Sequence, residues 1–205
     1  MPKPKRKTSN TTWTPALAYL PSDPECQCLC TLSMKFSVLD NLLTFYIRFS
    51  IFIDGCKELQ PFTFEYIAGN ATSGTDSLQP VDINLPQERY DGIKQQGSPD
   101  FKTLSIQLKK HCTVWCYDNA IAPKNGDDTD SFGRVARLAQ AKLIHLVFDY
   151  RSFKRDRKIC LDRFVNPKIE MKGYKNGGHY DKFKPKNWMI FSAYLETETK
   201  TSEPS

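Results

Sequence analysis

Residues 26–53 read CQCLCTLSMKFSVLDNLLTFYIRFSIFI, and their alternation decides the fold. From Cys26 the even positions are apolar or thiol: Cys26, Cys28, Cys30, Leu32, Met34, Phe36 and Val38. The odd positions between them are mostly polar, with Gln27, Thr31, Ser33, Lys35 and Ser37. Strand side chains alternate between two faces, so this is a strand with one buried face. After Asp40-Asn41 the apolar set moves to odd positions, from Leu43 through Phe45, Ile47, Phe49 and Ile51 to Ile53. Asp and Asn both tolerate the positive φ of a tight turn. With these two at its centre, residues whose numbers sum to 81 face each other. Val38 then meets Leu43, Phe36 meets Phe45, Met34 meets Ile47 and Leu32 meets Phe49. Every inward residue meets an inward residue, and a one-residue slip would turn one apolar set into water. The opposite face pairs Ser37 with Thr44, Lys35 with Tyr46 and Ser33 with Arg48, all free to stay wet.

Outward from this hairpin, shorter strands are expected at Phe62–Ile67, Val81–Leu85, Leu104–Leu108, Cys112–Tyr117 and Trp188–Leu195. Turn-rich stretches at 68–79 and 86–101 separate them, and the second, with Gly92, Gly97 and Pro99, reads as a mobile loop. Two helices are expected. One is capped by Asp130 or Ser131 and buries Phe132, Val135, Ala136 and Ala139, a spacing that Leu143 extends; Leu143–Tyr150 then reads as a fully buried strand, the alternative being that the helix runs on through it. The other is capped by Ser152, carries the stripe Phe153, Arg157, Cys160, Leu161, Phe164, and ends before Pro167. The fold class is α+β and β-rich: mainly antiparallel, sandwich-like, with two helices in the C-terminal half. Residues 1–24, polar and proline-bearing, read as a disordered lead-in. Residues 25–195 read as one globular domain and 196–205 as a frayed tail.

Of the 205 residues, 40% are hydrophobic and 25% charged, enough apolar material to build a core. No apolar run reaches the roughly 18 residues a membrane span needs. No apolar stretch of signal-peptide type follows the N-terminus. The seven cysteines are an odd number, which fits reduced thiols in the cytoplasm or nucleus. The net charge is +6, distributed unevenly. Residues 1–10 carry +4 and residues 151–187 carry +8, with twelve Lys/Arg against four Asp/Glu, so the remainder carries −6. The body is mildly acidic with two basic segments.

The motifs that would carry catalysis are few. Cys26, Cys28 and Cys30 lie on one face of a strand, where alternate residues are about 7 Å apart, too far to converge on zinc without a turn. Their parity runs on into Leu32 and Met34, which makes them the end of the core stripe. His111 and Cys112 point to opposite faces of a strand and cannot form a thiolate pair. His145 and His179 sit in no recognisable constellation. Asp127, Asp128 and Asp130 lack the spacing of a calcium loop and suit a helix start. No catalytic residue, metal or cofactor is assigned.

The basic segments remain. Lys3, Lys5, Arg6 and Lys7 form a cluster of the kind nuclear import machinery reads. Arg151, Lys154, Arg155, Lys158, Lys172, Tyr174, Lys175, Lys182, Lys184 and Lys186 form a basic, aromatic-bearing patch. Cations neutralise acidic partners and flat rings stack on unpaired bases. Val114-Trp115-Cys116, Ile144–Tyr150 and Asn187–Ser192 resemble uncharacterised proteins of filamentous fungi, over about residues 100–195. The resemblance implies a eukaryotic intracellular setting and no activity. The resulting reading is a non-enzymatic intracellular interaction domain, in nucleus or cytoplasm, that binds an acidic protein surface and no membrane. A nucleic-acid-binding protein using the same patch is the second reading, and a cysteine- or metal-dependent enzyme the third.

Overall fold

A computed structural model describes residues 13–37, 42–51, 59–67, 77–81, 85–94, 97–107, 113–117, 127–165 and 188–190. The strands are β1 (Thr14–Leu20), β2 (Asp23–Ser37), β3 (Leu42–Ile51), β4 (Gln60–Ile67), β5 (Ser77–Pro80), β6 (Phe101–Gln107), β7 (Thr113–Tyr117), β8 (Leu143–Asp149) and β9 (Trp188–Ile190). The helices are α1 (Gln87–Ile93), α2 (Asp127–Gln140) and α3 (Arg155–Val165). All strand pairings are antiparallel, in the order β5-β6-β8-β1-β2-β3-β4-β7-β9.

The 15-residue strand β2 joins two arms of this sheet. Its residues Asp23–Leu32 pair with β1, and through β1 with β8, β6 and β5. Its residues Thr31–Ser37 pair with β3, and through β3 with β4, β7 and β9. A long strand shared in this way lets the arms turn apart, as at the corner of a sandwich. One core joins them: Ala16, Ala18, Leu146 and Phe148 from one arm, Phe45, Phe49, Phe62 and Phe64 from the other. α2 adds Val135, Leu138 and Ala139 to that core, and α3 adds Cys160 and Leu161.

The hairpin forms with a different register. Observed partners sum to 79: Phe36 faces Leu43, Met34 faces Phe45 and Leu32 faces Ile47. The shift from the expected register is two residues, and a two-residue shift returns every side chain to its own face. Alternation therefore specifies the faces without choosing between the two registers. The ladder closes at Ser37–Leu42, so Asp40 and Asn41, the expected turn, lie outside the described residues. The face expected to stay wet is covered in part, since Ser33 pairs with Tyr46 and both are buried.

Residues 13–24 depart from the expected lead-in, because β1 is a central strand. From Ala16 to Leu20 it is apolar on both faces: Ala16, Ala18 and Leu20 enter the main core, while Leu17 and Tyr19 enter a second cluster. A strand buried on both sides loses the period-two pattern by which strands are found. The 86–101 stretch, expected as a loop, contains α1. Leu85 and Ile93 bury beneath this helix, with Leu17, Tyr19 and Val147, on the side of the sheet away from α2. Gly92 allows the close approach, since a Cβ there would lie 3.0 Å from Leu29 Cδ2. The strand expected at 81–85 lies instead at Ser77–Pro80; Val81 and Leu85 are not in a strand, and 82–84 lie outside the described residues. The last expected strand is described only as Trp188–Ile190, and residues 196–205 are outside the description. No described helix is long and apolar enough to cross a membrane.

Candidate functional site

The cations Arg151, Lys154, Arg155 and Lys158 come together where β8 hands over to α3. Between them the chain makes a single 3-10 turn, Tyr150–Ser152. Asp149 organises the handover. It is 1% exposed, and its Oδ1 accepts from the backbone N–H groups of Asp100 and Arg151, each at 3.0 Å. Ser152 Oγ donates to the Asp149 carbonyl at 2.6 Å, so this serine closes the turn and does not cap α3 as expected. Phe153 then buries edge-on against Phe148, with centroids 5.0 Å apart. The turn is thereby fastened to the core on both sides of Arg151.

α3 begins with cations where acids would be favoured. The Lys154 carbonyl accepts from the Arg157 and Lys158 N–H groups at 3.0 and 3.1 Å, which puts Lys154 at the N-cap position. Residues 151–158 hold five Lys/Arg and one acid, Asp156. The N-terminal end of a helix carries roughly half a positive charge, so these cations add to an already positive field. Arg151, Lys154 and Arg155 are exposed. The neighbouring carboxylates are engaged: Asp100 pairs with Lys102 at 3.3 Å and Asp162 accepts from Tyr150 Oη at 3.3 Å. Lys158 Nζ lies 4.6 Å from the Tyr150 ring centroid, a cation–π contact. Burial, with Asp162 beside it, pushes the Tyr150 phenol up from its ordinary pKa.

On the α1 side of the sheet a polar row crosses adjacent strands. Tyr19, His145 and Ser105 are direct cross-strand neighbours on β1, β8 and β6. Tyr19 Oη is 2.9 Å from His145 Nδ1, and Ser105 Oγ is 3.1 Å from His145 Nε2. A proton on either ring nitrogen satisfies both contacts with the hydroxyls turned to suit. The row places a serine on a histidine whose other nitrogen is held by a third group, and it ties three strands together. Tyr19 fell in the expected lead-in, so nothing in the sequence directed His145 toward it.

The three cysteines of β2 sit as the core stripe implied. Cys26 and Cys30 are buried in the main core and Cys28 packs against it. Cys26 Sγ donates to the Arg134 carbonyl of α2 at 3.6 Å. Burial pushes the Cys28 thiol up to about 11, against the pull of the Arg134 cation. Burial also raises Cys30, with Cys28 adding to the effect. Cys28 and Cys30 are thereby held as neutral thiols near neutral pH, the reverse of an activated nucleophile.

Of the expected patch, Lys172, Tyr174, Lys175, Lys182, Lys184 and Lys186 lie outside the described residues, as does the cluster Lys3, Lys5, Arg6 and Lys7. α2 begins at Asp127, ahead of the expected cap at Asp130 or Ser131. No family model, curated protein or solved structure matches this chain.

Proposed function

We propose that this chain is a non-enzymatic interaction domain, working in the cytoplasm or nucleus, that docks an acidic protein segment on the basic ledge at residues 151–158. The observation that carries the reading is the cation cluster around the N-terminal end of α3. Structural economy would put acids there, since acids complement the helix dipole and cations oppose it. Local rules are broken most often where a site requires it. A carboxylate-rich partner would relieve the repulsion among Arg151, Lys154 and Arg155 and would meet the free N–H groups of the helix start.

An acidic protein segment fits the described ledge better than a nucleic acid does. Binding single strands calls for open aromatic faces on which bases stack. Here the Tyr150 ring is covered by Lys158 and Phe153 is buried. Polarisation titrations with a labelled glutamate-rich peptide and a labelled single-stranded oligonucleotide, at low and physiological salt, separate the two. The peptide should bind more tightly at equal ionic strength, and binding should weaken as salt rises. The triple variant Arg151→Glu, Lys154→Glu, Arg155→Glu should lose it. A preference for the oligonucleotide would move the assignment to nucleic acid, and unchanged binding by the triple variant would refute the ledge.

A further inference from the structure

β2 and β3 separate at a definite point. Their ladder runs from Ser37–Leu42 to Thr31–Arg48 and stops. Toward its start β2 stays paired with β1, while β3 stays paired with β4 as far as Ile51. Between Gln27–Leu29 on one strand and Phe49–Ile51 on the other, the fork opens a pocket of about 170 Å³. A single water needs roughly 10–15 Å³ of such space, so the pocket has room for a small molecule.

The lining is chemically specific. α1 supplies Arg89 from one side of the sheet, and α2 supplies Arg134 and Ser131 from the other. Both guanidinium cations act electrostatically on the sulfur of Cys28, which lies in the pocket wall. Among the described residues, no carboxylate lines the pocket. Arg89 makes no ion pair with any described carboxylate, whereas Lys102 pairs with Asp100 and Arg137 with Asp23. The Gln27 Oε1 is buried without a hydrogen-bond partner among the described residues. Rotation of that amide presents its N–H groups to the pocket. Phe49, Ile51 and Val135 make the remaining wall apolar.

We propose that the fork between β2 and β3 binds a small phosphomonoester, its dianionic head between Arg89 and Arg134 and its organic body against Phe49, Ile51 and Val135. Guanidinium groups match the oxygens of phosphate in pairs, and two cations balance a dianion better than a monoanion. Ser131 and the Gln27 amide supply neutral donors. The Cys28 thiol, protonated near neutral pH, adds no charge to repel the ligand.

The test uses the full chain and phenyl phosphate as probe, followed by calorimetry and by alkylation of Cys28 read by peptide mass spectrometry. Saturable binding is expected, with slower alkylation of Cys28 when the probe is present. Benzoate, with the same ring and a single charge, should bind more weakly. Inorganic phosphate, which lacks the ring, should also bind more weakly. Arg89→Gln, on the half-exposed face of α1, should weaken phenyl phosphate binding by at least about tenfold. Ser131→Asp, which brings a carboxylate to the pocket, should do the same with the fold intact by circular dichroism. Arg155→Glu, on the ledge, should leave binding unchanged. Absence of saturable binding at millimolar probe would overturn the proposal. So would binding that survives Arg89→Gln and Ser131→Asp, or that is lost with Arg155→Glu.

Discussion

Asp149 shows how one buried side chain positions a surface. Its Oδ1 gathers two backbone donors from separate segments, and its carbonyl takes the Ser152 hydroxyl. Arg151 Nη1 then reaches the Ser98 carbonyl at 2.7 Å, fastening the preceding loop to the same corner. Replacing Asp149 by Ala orphans two N–H groups and should cost about 2–4 kcal/mol, read by urea unfolding. Asp149→Asn keeps one acceptor oxygen and should cost clearly less. None of this was legible in the sequence, where Asp149 is one acid at the end of an apolar run. Its importance comes from Asp100, 49 residues away, and only the β6–β8 pairing brings the two together. The cysteines were legible because their parity matched the core stripe. Their burial sets a pH dependence. The folded-state pKa of Cys28 and of Cys30 is raised above the ordinary value of 9.0, so the native state holds these protons longer than the unfolded chain. The associated stability is intact below about pH 9 and falls as pH rises toward 11, by up to about 1.4 kcal/mol per pH unit for each thiol. Urea midpoints of Cys30→Ala should start lower at pH 7 and decline less steeply from pH 9 to 10.5 than those of the wild type.

At the scale of elements, the hairpin separates what alternation can decide from what it cannot. Period two assigns each side chain of β2 and β3 to a face, and Cys26, Cys30, Leu32, Met34, Phe45, Ile47, Phe49 and Ile51 lie in the core as expected. Register within a parity depends on the connection between the strands, and Asp40-Asn41 lacks the glycine that marks the tightest turns. The two registers make opposite predictions for engineered disulfides. Thr31→Cys with Arg48→Cys joins direct partners in the observed ladder, within the Cα separation a disulfide spans. Ser33→Cys with Arg48→Cys joins the partners of the alternative register, which here are diagonal and about 7–8 Å apart. Mass spectrometry after mild oxidation should find the 31–48 link in high yield and the 33–48 link in low yield. The reverse yields would restore the register closed by Asp40-Asn41. β1 and α1 escaped the sequence for related reasons. β1 is buried on both faces, so it lacks alternation, and its Pro15, with Pro21 and Pro24 just beyond it, imitates a linker. α1 has only two turns and gains its stability from Leu85 and Ile93 docking on β1, a contact no local pattern encodes.

Across the whole molecule, a mildly acidic body displays cations at one anchored corner. The charge asymmetry was visible in the sequence, and so was the 151–158 segment. The cation cluster at the start of α3 was not visible, because the expected cap at Ser152 placed the helix start too early. The same architecture leaves a fork on the shared strand β2, where the two arms diverge and two helices each contribute an arginine. The two sites are independent: the ledge hangs on β8 and α3, the fork on β2, β3, α1 and α2. Charge reversal on the ledge should therefore leave the fork unaffected. The central claim concerns the ledge, and its most direct test is a hydrogen-exchange footprint of the full chain with and without a saturating glutamate-rich peptide. The account predicts slowed exchange concentrated in residues 150–158 and in the adjoining loop at 97–100, absent in the Arg151→Glu, Lys154→Glu, Arg155→Glu variant. Protection falling elsewhere in the chain, with 150–158 exchanging as in the free protein, would contradict it.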